Sequence, residues 1–219
     1  MMFSEFHGFS LTFADYELIQ LKEYSRIVET QLEHKLANFN DWVTKQAAHL
    51  SEAEKHDLYA SVGLEHTELS QIHPQILRQS LVIALASFLE KTLNSLCQDF
   101  RKHWQIDLSF HDIHGKGITR AQKYLKKVIK IDFPDTNAAW QNILLINEIR
   151  NFYVHSEGNV SGELVKRIET ASENRALTKL YPESIDLDSK FVPFYIENIE
   201  KFVRQLQQKV LEKAKHEPP

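Results

Sequence analysis

The sequence predicts an all-α helical bundle, and three observations carry that expectation. Apolar residues recur at steps of three and four through most of the 219 residues, breakers are scarce at 6 Gly and 6 Pro, and only one short stretch alternates polar with apolar. A chain of this length that is 42% hydrophobic can bury a sizeable core, so one all-α domain over 1–219 is expected.

Leu11, Ala14, Leu18, Leu21, Val28, Leu32, Leu36, Phe39, Val43 and Leu50 keep a single stripe, which predicts one long amphipathic helix. Ser51 followed by Glu54 matches a capping box, so a second helix starts there and is expected to end near Leu69. Ser70 and Pro74 signal a further start. Pro74 to about Trp104 is the most apolar segment, with Leu81, Leu85, Leu89, Leu93, Leu96 and Phe100 at helical spacing, and is expected to be the central core helix. His111 to Gly117 reads as a loop, Ile118 to Ile131 as a basic helix ended by Pro134. Asp135 or Thr136 then caps a helix that runs through Trp140, Ile143, Ile146 and Ile149 to about His155 and stops before Gly158. A short helix from Ser161 to about Leu177 follows. Ser184 to Asp188 is the alternating stretch, and a single piece of that kind makes no sheet. A last helix, about Phe191 to Lys213, closes the bundle of five to seven helices, leaving His216 to Pro219 as a frayed tail.

Composition excludes several classes. Thirty acids against 26 Lys and Arg give a net charge of −4, so bulk attraction to nucleic acid is ruled out and any such contact must be local. Cys97 stands alone and forms no internal disulfide, and Met1 to Ser10 lacks a basic-then-apolar leader, so a reducing cytoplasm is expected. The longest strongly apolar run, Leu81 to Leu89, is far shorter than the roughly 20 residues that cross a bilayer, and no membrane association is expected.

The most informative stretch runs from Asn147 to Gly158 and gathers Arg150, Asn151 and His155 at the end of a predicted helix. Arginine brings a fixed cation, asparagine donors and an acceptor, histidine a proton carrier. A metal-independent ribonuclease needs these groups: a base for the ribose 2′-hydroxyl, an acid for the leaving oxygen, and a cation for charge gathering on phosphate. Histidine suits both proton roles because its ordinary pKa is about 6.5. Five helical steps of about 100° set His155 roughly 140° around the axis from Arg150, whereas Asn151 and His155 share a face. Two copies across a two-fold axis would put two His and two Arg around one phosphate, which predicts a homodimer.

Arg-Asn, three residues, then His, preceded by Glu148-Ile149 and followed after two residues by Gly158, resembles the signature of HEPN domains, an all-α ribonuclease superfamily of toxin–antitoxin, abortive-infection and CRISPR effector systems. The likeness extends over about 74–213: an upstream apolar helix carrying Glu90, the motif, a short extended stretch at Ile185 to Leu187, and a final amphipathic helix. The helical extension over 10–70 is left unassigned. The resemblance implies a metal-independent endoribonuclease with Arg150 and His155 as catalytic residues in a shared cleft, no cofactor, RNA as substrate, a 2′,3′-cyclic phosphate product and an antitoxin or other regulatory partner. In the branch paired with minimal nucleotidyltransferases a modifiable Tyr stands two places after the His; here Glu157 does, which speaks against that regulation.

Asn151 would position phosphate or His155. Glu90 either lies on the polar edge of its helix or is buried, in which case Arg150 is its expected partner. Alternatively, Arg150 bonds Glu148 or Glu90 inside the bundle, His155 caps the last carbonyls, and the chain is a non-catalytic helical module binding a protein, a nucleotide or RNA. Arg120, Lys123, Lys126, Lys127 and Lys130 make a basic face, either solvated or, through Arg120, Lys123 and Lys127, an RNA-backbone contact. His111 and His114 are too few ligands for a metal site, and none is expected. Gly115-Lys116-Gly117 is not a phosphate-binding P-loop, no serine nucleophile elbow occurs, and Cys97 sits on the apolar stripe as a packing residue.

Overall fold

The computed structural model describes residues 9–155, 160–171 and 177–215. The helix end expected before Gly158, Glu157 and the His216 to Pro219 tail lie outside them. Among the described residues the chain is an all-α bundle: α1 (Phe9–Ala47), α2 (Glu52–Thr67), α3 (His73–His103), α4 (Gly117–Lys127), α5 (Ala138–His155), α6 (Gly162–Thr170) and α7 (Phe191–Ala214), with a small hairpin of β1 (Thr178–Leu180) and β2 (Ile185–Leu187).

The capping box forms as expected, Ser51 and Glu54 exchanging side-chain and backbone bonds at the start of α2. The expected break near Leu69 is absent. A π-helical turn over Glu68–Ile72 joins α2 to α3 in one rod of 52 residues. Pro74 has no N–H and its ring would crowd a carbonyl four residues back, and a widened turn just before it absorbs that conflict without ending the helix. The rod contains a window long and apolar enough to cross a membrane, contrary to the expectation from Leu81 to Leu89, but 56% of it is buried inside the bundle, which accounts for its composition.

Leu85, Leu89, Leu93, Leu96 and Phe100 of α3 form the spine of the core at no more than 1% exposure. α1 and α4 pack against it, and α5 pairs with α7 on another side. Trp140 of α5 meets Phe202 of α7 at 4.8 Å, with Phe133 edge-on at 5.0 Å. By contrast α2 buries no residue, so it and the second half of α1 form an arm outside the core.

Three local expectations change. α4 ends at Lys127, before Pro134, because Lys130 takes a positive φ of 59° and Ile129, Ile131 and Phe133 drop into the core as an extended strap. Asn137, not Asp135 or Thr136, caps α5, its Oδ1 accepting the Trp140 N–H at 2.8 Å; Asp135 is engaged by Lys126 and Gln122 instead. Ser161 does cap α6, which stops at Thr170, and the chain then forms β1, giving Ile185–Leu187 an antiparallel partner in the register Thr178 to Leu187 and Leu180 to Ile185. Gln75 of α3 anchors that hairpin, donating to and accepting from Leu187 at 2.9 Å each, while Tyr153 of α5 donates to the Ile185 carbonyl at 2.7 Å.

Candidate functional site

α5 carries the motif because one face of it is tied to α7. Ile143, Ile146 and Ile149 are fully buried there, and Asn142 donates to Asn198 of α7 at 3.0 Å. This fixes the rotation of the helix and so the directions in which its last two turns present side chains.

Arg150 is half-buried. Its Nη1 donates to Asn151 Oδ1 at 3.0 Å, and its Nε is buried with no acceptor among the described residues. Tyr195 of α7 lies close enough for the guanidinium to act on its phenol; the ring is fully buried and its hydroxyl also has no partner among the described residues. Burial pushes the Tyr195 phenol well above its ordinary value, and the Arg150 charge opposes that rise. Asn151 and His155 are exposed, four residues apart on one face, with His155 the last residue of α5. Thus Asn151 links the two groups: it holds Arg150 through its carbonyl oxygen and shares the face of His155.

Glu148 does not bond Arg150. It pairs with Arg167 of α6, which pins that short helix beside the end of α5. Glu90 makes no ion pair with Arg150 among the described residues either. Half-buried on α3, it places Oε2 3.6 Å from where a β-carbon on Gly117 would stand, at the start of α4. A carboxylate there faces the positive end of a helix whose N-cap, Lys116, supplies no side-chain bond. Gly117 has φ +53°, and its hydrogen leaves room for that approach.

The basic helix is not an open row of cations. Arg120 lays its guanidinium over the Phe110 ring at 5.3 Å, with Nε buried and without a partner among the described residues; Lys123 donates to the His114 carbonyl at 3.2 Å; Lys126 pairs with Asp135. Lys127 and Lys130 remain exposed. Cys97 is fully buried with its thiol pushed up to about 12 by desolvation, as a packing residue should be.

Two features were not anticipated. Tyr195 sits on the apolar stripe of its helix, and nothing in its spacing distinguishes it from its core neighbours. A cavity of about 480 Å³ opens between α1, α3 and α7, with Leu81, Val192 and Ile196 beneath Lys22, Glu29 and Glu200, apart from the α5 motif. Compared with protein-family models, curated proteins and solved structures, the chain matches none.

Proposed function

We propose that the protein is a HEPN-type, metal-independent endoribonuclease working as a homodimer. The observation that carries this reading is the end of α5, where Asn151 holds Arg150 at 3.0 Å and His155 stands exposed on the Asn151 face. In the proposed reaction a His155 imidazole removes the ribose 2′-hydroxyl proton. The 2′-oxygen bonds to phosphorus, and Arg150 offsets the charge that gathers on the non-bridging oxygens. The bond from phosphorus to the 5′-oxygen then breaks, the second copy's imidazolium protonates that oxygen, and a 2′,3′-cyclic phosphate remains. All electrons and protons are accounted for without a metal. The HEPN resemblance supplies the substrate class and an inhibitory protein partner as parts of the same proposal, and the lone Cys97 supports a reducing cytoplasmic setting for it.

The test is incubation of the purified chain with total RNA and excess EDTA, followed by end-group analysis. Cleavage by the wild type with cyclic phosphate ends, reduced about 100-fold or more in His155→Ala, is the expected outcome. Equal cleavage by both, or none by either, refutes it and leaves the non-catalytic helical module.

A further inference from the structure

The long first helix has two faces. Leu11, Ala14, Leu18 and Ser25 are buried in the bundle, whereas Phe13, Tyr16, Tyr24 and Ile27 are 69%, 67%, 56% and 46% exposed. At about 100° per residue those four and the exposed Gln20 fall within a stripe roughly 80° wide that holds no charged residue. Glu17 and Glu23, which flank it, are already paired inside the chain, with Lys91 at 3.3 Å and Arg26 at 2.6 Å.

The stripe reads the same from either end. Phe13 and Ile27 each lie seven residues from Gln20, and Tyr16 and Tyr24 each lie four. An isologous two-fold contact requires this property, because whatever residue i meets on the partner must meet residue i in return. With the exposed Gln20, the open side chains of the stripe amount to about 500 Å² per copy if a whole aromatic offers 150–250 Å². That is within the size of the largest apolar patch a monomer leaves to water. Doubled, about 1,000 Å² reaches the size at which specific interfaces begin.

We infer that α1 pairs antiparallel with α1 of a second copy of this chain. Gln20 sits on the two-fold axis, Tyr16 packs against Tyr24 of the partner subunit, and Phe13 packs against Ile27 of the partner subunit. The pairing rests on the proposed homodimer and gives it a contact; a dimer that fails to cross-link through position 20 overturns the seam alone, whereas loss of RNA cleavage by that dimer bears on the ribonuclease reading alone.

The experiment uses the full chain. Gln20→Cys provides an accessible thiol beside the buried Cys97. Antiparallel pairing brings that thiol against its own copy, so a short bis-maleimide should yield a covalent dimer. Gln31→Cys, also exposed, would lie about 33 Å from its copy and should not react. Sedimentation should show a wild-type dimer at micromolar concentration. Tyr16→Glu with Tyr24→Glu should raise its dissociation constant about 100-fold or more, since each change occurs twice in the pair. A monomeric wild type, a double variant that stays dimeric with unchanged circular dichroism, or cross-linking at Gln31→Cys equal to that at Gln20→Cys would each overturn the inference.

Discussion

Tyr195→Phe should make the protein more stable. The Tyr195 hydroxyl is fully buried and has no partner among the described residues, so folding strips it of water and returns no hydrogen bond. A polar group in that position costs about 1–3 kcal/mol, and removing its oxygen leaves a ring of almost the same shape against the same neighbours. Taking about 1 kcal/mol, a domain of this size should gain roughly 2–4 °C in Tm. Thermal melts and urea titrations of wild type and variant, followed by circular dichroism, measure the difference. A loss of stability of about 1 kcal/mol would mean that the hydroxyl is bonded in solution and would refute the reasoning. The position matters because the Arg150 charge acts on this phenol and the Arg150 Nε also has no partner among the described residues. A buried polar group without a partner calls for an explanation, and a ligand or second subunit that completes the bonding is one.

Two further outcomes follow from the geometry. Gln75→Ala removes both bonds to Leu187, leaving Arg78 as the remaining donor to that carbonyl at 2.7 Å. Amide exchange at Leu187 should accelerate about tenfold or more with little change in exchange along α3, and unaltered protection at Leu187 would show that the hairpin is held by its apolar contacts instead. Stability should be full below pH about 9 and fall as the pH rises towards 12. The unfolded chain releases the Cys97 proton near the ordinary 9.0 while the fold holds it to about 12, and Tyr124 is raised in the same direction by burial. Cys97→Ala should flatten the first part of that decline in urea titrations across the window; a wild-type curve already flat there would contradict the burial of the thiol.

The bundle was legible because helical periodicity is a local signal repeated many times, and each apolar stripe in α1, α3, α5 and α7 records the face that packing then buries. What the chain hid depends on partners distant in sequence. Thr178–Leu180 is too short to announce itself as a strand and becomes one only against Ile185–Leu187. Ser70 and Pro74 look like punctuation, yet a π-turn carries the helix past them, since Leu69 and Leu81 must both reach the core from one rod. Asp135 was a reasonable cap by residue type but was claimed by Lys126, nine residues back. The motif residues were visible as types and spacing, whereas their bonding was not. Arg167, which takes Glu148 away from Arg150, lies 19 residues beyond it on another helix.

That removal is what leaves Arg150 available. Had Glu148 or Glu90 closed an ion pair on it, the guanidinium would be neutralised inside the bundle, and the alternative of a purely structural arginine would account for the site. Glu148 is spent on α6 and Glu90 on the start of α4, so among the described residues the hydrogen-bond partner of Arg150 is the neutral Asn151, which orients the cation without cancelling its charge. His155 then stands a further turn along, about 7.5 Å up the axis from Arg150 and rotated roughly 140° away. One copy therefore offers one cation and one proton carrier pointing in different directions. Attack by a 2′-oxygen and departure of a 5′-oxygen occur on opposite sides of phosphorus and need a base and an acid at once. The proposed homodimer doubles both groups, so that a base from one copy and an acid from the other can serve one phosphate.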